Sequence, residues 1–139
     1  AEDARAQQPD AAADLWVAMD ARMNEVYAAR CGWSGAGWRV LREPALFTLE
    51  ALAAQWREQA PRAVAGSALN AFGDRLPLNG AVVIPQARSR AQALARVALQ
   101  AWSQVAAVDA AQALPLYLRD KVALTTAERM AAKAAQEPA

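Results

Sequence analysis

Two short apolar runs, Leu15 to Met19 and Val26 to Cys31, flank the polar stretch Asp20 to Glu25. Apolar runs separated by a polar turn predict a β-hairpin. Asp20 stands at the entrance of the turn, Asn24 near its tip and Glu25 at its exit. Asp and Asn suit turns because their side chains bond nearby backbone amides. Trp16, Val17 and Val26 are expected inside, and Asn24 outside. The loop Gly32 to Gly37 holds three glycines. Such a loop cradles phosphate only where it leads into a helix N-terminus. This one leads into Trp38 to Glu43, which alternates like a third strand and is expected to close at Pro44.

Beyond Pro44 the period changes. Thr48 is placed as an N-cap, and Leu49, Leu52, Ala53 and Trp56 fall on one helical face, which Pro61 ends. Ala63 to Gly66 reads as a short buried strand, and Ser67 to Phe72 as a short helix or turn. Pro77 and Asn79-Gly80 punctuate a loop. Ala81 to Ile84 is a fifth strand, closed by Pro85. Ser89 and Gln92 have capping-box spacing. Leu94, Val97, Ala98, Ala101, Trp102 and Val105 follow as an amphipathic stripe, expected to cover the sheet. Ala113 to Val122 is an extended segment fixed by Pro115. No large apolar residue follows Met130.

The order is βββαβαβα. It predicts an α/β fold, a mixed five-stranded sheet covered by helices. That order resembles a lobe of the actin, Hsp70 and sugar-kinase class, which is ribonuclease H-like. Residues 1–14 read as a frayed helix end and a linker, 15–123 as a single lobe, and 124–139 as a flexible tail.

Composition narrows the chemistry. The chain has 139 residues, which is one domain by size. The net charge is +1 with both signs interspersed, so strong direct binding of nucleic acid is not implied. There is no histidine. That excludes His-based metal sites and the Ser-His and Cys-His nucleophile pairs. The single Cys31 gives no disulfide framework and reads as a half-buried strand residue. No apolar run reaches the length of a membrane span, so a cytoplasmic protein is expected, with no membrane partner. No cofactor and no metal are expected.

Asp20 and Glu25 admit a paired-carboxylate reading. The turn between them is Ala-Arg-Met-Asn, and its side chains would crowd a phosphate that glycines would admit. A structural hairpin or partner surface is therefore preferred to a ligand site. Gly66-Ser67 lies where nucleotide-binding relatives of this fold place a Gly-x-Gly, but Ala68 replaces the second glycine. A packing glycine is preferred there. No serine has a base beside it in sequence, and neither Lys121 nor Lys133 lies in an apolar context. Arg22, Arg30, Arg39 and Arg42 are diluted by Glu25 and Glu43 and split between strand faces, so they read as a solvated surface.

The octapeptide Asp20-Ala21-Arg22-Met23-Asn24-Glu25-Val26-Tyr27 resembles the Asp-Ala-Arg-Met-x-Glu-Val-Tyr signature of the TsaB (YeaZ) family. Seven of its letters are the family's fixed ones, and Asn24 fills the variable place. Pro115, Tyr117, Leu118 and Arg119 resemble the family's Pro-x-Tyr-Leu-Arg motif, and Val83-Ile-Pro85 is a weaker echo. The resemblance spans Leu15 to about Leu124. Family members have two lobes, the first opening on a strand with Asp-Thr. That strand is absent from these residues, so the resemblance implies the C-terminal lobe alone, with the tail of the preceding helix.

It further implies a non-catalytic scaffold in the machinery that makes N6-threonylcarbamoyladenosine in tRNA, beside the anticodon. The partners would be a catalytic paralogue, TsaD-like, and a small ATPase, TsaE-like. The alternatives are the nucleotide-binding lobe of a kinase-like enzyme and a glycoprotease-like peptidase homologue. The lost glycines count against the first, and the lack of histidine or an activated nucleophile against the second. In the family the heterodimer interface is built mainly from first-lobe helices. The isolated chain is therefore expected to be monomeric, or weakly self-associated through a sheet edge, and not to bind the paralogue tightly.

Overall fold

The computed structural model describes residues 1–104 and 107–119. Its centre is a five-stranded mixed sheet. The strands are β1 (Leu15–Asp20), β2 (Glu25–Trp33), β3 (Trp38–Thr48), β4 (Ala63–Ala65) and β5 (Val82–Ile84), in spatial order β3-β2-β1-β4-β5. β1, β2 and β3 form an antiparallel meander. β4 joins β1, and β5 joins β4, in parallel. Parallel neighbours need a crossover, and the helices supply it. The first is α2 (Leu49–Glu58), between β3 and β4. The second is α3 (Ala68–Phe72), between β4 and β5.

Strand alternation divides β1 and β2 between two layers. Trp16, Ala18, Val26 and Ala28 face α2 and α3, and they pack with Leu49, Leu52, Trp56, Val64, Ala68 and Leu69. This is the main core, and Trp56 is 1% exposed in it. Trp16 meets Trp56 edge to face, with ring centroids 5.7 Å apart. The Thr48 hydroxyl accepts the Ala51 N–H at 3.1 Å, so Thr48 caps α2 as its position predicts. Leu15, Ala63, Ala65 and Ile84 face the other layer.

That other layer differs from expectation. Residues 1–14, read as frayed, are packed. Helix α1 (Glu2–Gln7) and a 3-10 turn (Pro9–Ala13) lie on the sheet, with Ala4 and Ala12 buried. Bonds to residues distant in sequence help hold them. The Glu2 carboxylate takes the Arg5 guanidinium at both oxygens and the Trp38 Nε1–H at 3.0 Å. Asp14 forms a two-pronged ion pair with Arg30 at 2.7 Å. These bonds pull the Glu2 and Asp14 carboxyls below their ordinary pKa, in each case chiefly through the arginine.

Helix α4 (Arg90–Gln104) forms where its stripe predicts as far as Gln104, with Val105 outside the described residues, but none of its residues is buried. Leu94 is 70% exposed and Trp102 75%. The helix touches α1 and the Ala36 carbonyl, to which the Gln100 amide donates. It stands off the sheet rather than covering it. Its start is capped from outside its own sequence. Asp3 accepts the Ser89 N–H at 2.7 Å and the Arg88 N–H at 3.0 Å. The Ser89 amide is therefore taken by Asp3, and only the Gln92 N–H to Ser89 Oγ half of the capping box is made, at 3.4 Å.

β3 also passes through Pro44 instead of ending there. The register slips by a residue on β3 between the pairs Ala28–Ala45 and Arg30–Arg42. Pro44 sits in that irregularity, on an edge strand, where its missing N–H breaks no ladder. The tail 124–139, and the stretch of the extended segment after Arg119, lie outside the described residues.

Candidate functional site

The hairpin turn is built on three successive residues in the left-handed region: Arg22 at φ 64°, Met23 at 56° and Asn24 at 57°. Non-glycine residues adopt this region at a cost of roughly 1 kcal/mol each. The surroundings over-determine it. The Ala21 N–H donates to the Glu25 carbonyl, and the Glu25 N–H to the Arg22 carbonyl, both at 2.9 Å. Asp20 Oδ1 accepts the Arg22 N–H at 2.8 Å, closing the entrance. The Asn24 carbonyl accepts the Leu49 N–H at 2.9 Å, which ties the turn to the start of α2. The Asn24 side-chain oxygen accepts from Arg75 at 3.2 Å.

Arg119 completes the arrangement. Its Nη2 donates to the Ala21 carbonyl at 2.8 Å and pairs with the Glu25 carboxylate at 2.5 Å. Its Nη1 lies 3.4 Å from Met23 Sδ, and its guanidinium carbon 6.0 Å from the Tyr27 ring centroid. Its Nε is buried with no hydrogen-bond partner among the described residues. The two sequence motifs therefore meet in space across 98 positions of chain. Sequence reading singled out both motifs and did not foresee their contact. Glu25, whose long side chain reaches a cation on the strap, was the available signal.

The remaining motif residues divide by exposure. Ala21 and Val26 are buried, Tyr27 and Leu118 half-buried, and Arg22, Met23, Pro115 and Tyr117 exposed. Asp20 and Glu25 do not face each other. Asp20 pairs in register with Val26, and its carboxylate holds the turn while that of Glu25 holds Arg119. Both carboxylates are engaged in the hairpin's own contacts.

Gly66 has a local explanation. Its φ is 129°, a conformation that side chains rarely adopt. A Cβ there would stand 2.1 Å from the Ala18 carbonyl oxygen on β1. The next residue, Ser67, accepts the Asp20 N–H at 3.1 Å. Gly66-Ser67 thus locks β4 against the end of β1, directly behind the hairpin.

Beside this corner lies a hollow of about 780 Å³ between the second face of the sheet and helices α1 and α4. Val17, Met19 and Ile84 line it from the sheet, and Ala93, Leu94 and Val97 from α4. Cys31 lines it too, and burial pushes its thiol above the ordinary value, away from the reactive thiolate. Among the described residues no cluster of acidic or thiol side chains could hold a metal ion, and no helix is long and apolar enough to cross a membrane.

No protein-family model matches the sequence, and no curated protein matches it. Solved structures do match. A crystal structure of an uncharacterized protein with similarity to peptidase YeaZ, from Pseudomonas aeruginosa, superposes with a TM-score of 0.69 at 29% identity. The match covers 85% of this chain and 54% of that one. YeaZ from Pseudomonas aeruginosa superposes with a TM-score of 0.64, also at 29% identity, over 84% of this chain and 54% of its own. This chain spans about half the length of the structures it matches. A mixed α/β sheet with this strand order, matched at that identity, has the TsaB/YeaZ-like fold, a fold of the actin-like class.

Proposed function

We propose that this chain is the C-terminal lobe of a TsaB-like scaffold subunit. The subunit has no catalytic activity of its own and acts in the cytoplasmic complex that makes N6-threonylcarbamoyladenosine in tRNA. The observation that carries the reading is the Arg119 clamp. Both stretches that resemble TsaB motifs converge on one hairpin, where the Asp20 and Glu25 carboxylates and the Arg119 Nη2 are spent on holding it. An active site keeps polar groups free for a substrate. A motif pair consumed by its own mutual contacts is instead a device for fixing a surface. The YeaZ structures support the family, and the lack of histidine removes the commonest general base.

The partners in this proposal are a TsaD-like catalytic paralogue and a TsaE-like ATPase, engaged by the two-lobed subunit. Reconstituted tRNA modification, with the paralogue, the ATPase and a TsaB-like subunit lacking its second lobe, tests it. Adding the 139-residue chain in trans, or fusing it to that first lobe, is expected to restore modified adenosine, while the chain with no first lobe present restores none. A fusion that folds and yields no modified adenosine refutes the role. The absence of catalysis is checked separately. Peptide, ester or ATP hydrolysis that survives repurification and is lost in Asp20→Ala or Glu25→Ala would show an enzyme after all.

A further inference from the structure

The chain has three methionines, Met19, Met23 and Met130, the last outside the described residues. The other two differ in setting. Met19 is half-buried on β1. Met23 is 73% exposed, although a flexible thioether is a side chain that cores readily take up. The backbone holds it out. Met23 is the middle one of the three left-handed residues, at φ 56°, and the bonds that close the turn on both sides fix that conformation. The one thiol offers little competition for an oxidant. Cys31 is half-buried, and burial keeps it in the slow protonated form.

The Met23 sulfur also has a cation beside it. Arg119 Nη1 donates to Met23 Sδ at 3.4 Å, and that sulfur is its one partner among the described residues. Nη2, by contrast, holds two oxygens, the Ala21 carbonyl and the Glu25 carboxylate. A thioether sulfur is a weak acceptor. A sulfoxide oxygen is a strong one, and a charged donor strengthens the bond further. An oxygen bonded to Sδ on the guanidinium side falls within hydrogen-bond reach of Nη1.

We propose that Met23 is an oxidation site for hydroperoxides and that Arg119 binds the sulfoxide formed there, so that oxidation strengthens the hold of Arg119 on the turn. Sδ attacks one peroxide oxygen. The S–O bond forms as the O–O bond breaks, and the proton on the attacked oxygen passes to the departing one. Sulfur gives up two electrons, and hydrogen peroxide leaves as water. The product is neutral and polar, and at an exposed position it disturbs no core.

Hydrogen peroxide is applied to the folded 139-residue chain, quenched with catalase and followed by tryptic mass mapping. Trypsin places Met19, Met23 and Met130 in separate peptides, so each is read alone. Met23 should gain one oxygen at least ~tenfold faster than Met19, and the two rates should converge in urea. Equal rates in the folded chain overturn the proposal.

Urea unfolding followed by circular dichroism reads the role of Arg119. The wild-type midpoint should rise on oxidation and return after treatment with methionine sulfoxide reductases. Met23→Leu keeps Met19, Met130 and Cys31, and peroxide should leave its midpoint unchanged. Met23→Gln sets an amide oxygen near the sulfoxide position, and its midpoint should lie above that of Met23→Leu with no peroxide added. In Arg119→Ala, Met23 should still oxidise but with no rise. Should that variant fail to fold, the two Met23 variants decide. A wild-type midpoint that falls or stays level on oxidation overturns the proposal. So does a rise of equal size in Met23→Leu, or a Met23→Gln midpoint below that of Met23→Leu.

Discussion

Gly66 offers the sharpest test of whether the corner behind the hairpin is packing or a ligand cradle. An added Cβ would stand 2.1 Å from the Ala18 oxygen and 2.9 Å from the Ala18 carbonyl carbon. An ordinary carbon–oxygen contact is longer by about 1 Å, and both atoms belong to backbone in the middle of the sheet. Neither can yield without opening the β1–β4 pairing at Trp16–Val64 and Val17–Ala65. Overpacking of this kind typically costs about 1–3 kcal/mol, and forcing a side chain to φ 129° adds about 1–3 kcal/mol. Gly66→Ala should therefore destabilise by about 2–6 kcal/mol. Gly35 is the control. Its φ is 86°, and an added Cβ there meets nothing within 4 Å. Gly35→Ala should cost only the backbone part, about 1 kcal/mol. Urea unfolding followed by tryptophan fluorescence measures both. A Gly66→Ala midpoint equal to that of Gly35→Ala would refute the packing account, and would return the position to a ligand role.

Three further outcomes are expected. Arg119→Ala should destabilise by about 2–3 kcal/mol, since it strips a charged donor from Glu25 and Ala21. Its urea midpoint matching wild type would mean the clamp is idle. At the hairpin, Val26→Ala should cost about 1–3 kcal/mol because Val26 is fully buried, while Asn24→Gly should cost less, because relief of the left-handed strain offsets the loss of the exposed Arg75 bond. The reverse ranking in the same assay would show the strand assignment to be wrong. Glu2, Asp3 and Asp14 have folded pKa values below their ordinary ones. Their contribution is full above the unfolded values, near pH 4, and drains as pH falls through the lower folded values. Stability measured from pH 5 to pH 2 should decline, and Asp14→Asn should flatten the decline. An unchanged slope would show the Arg30 pair to be inert.

How much of this was legible depends on the range of each force. The β1–β2 hairpin, the Thr48 cap and the α2 face are set by neighbours within a few residues, and each could be read from the chain. Pro44 misled because a proline ends a central strand but not an edge one, and the edge is a property of the whole sheet. The packing of residues 1–14 was hidden for a similar reason. Ala, Asp and Gln look like linker by composition. They become structural only when Trp38, Arg30 and the amides of Arg88 and Ser89 arrive from elsewhere. The Arg119 clamp has the same character, since neither motif announces the other.

Helix α4 is the instructive case. Periodicity identified the helix correctly and assigned its apolar face to the sheet. The face is apolar, and the sheet below it is apolar, yet the two stand apart across a hollow. A hydrophobic stripe records that a surface is to be covered, without recording by what. Among the described residues neither the stripe nor the sheet beneath it is covered, and periodicity along one helix carries no information about the distance between that helix and a sheet.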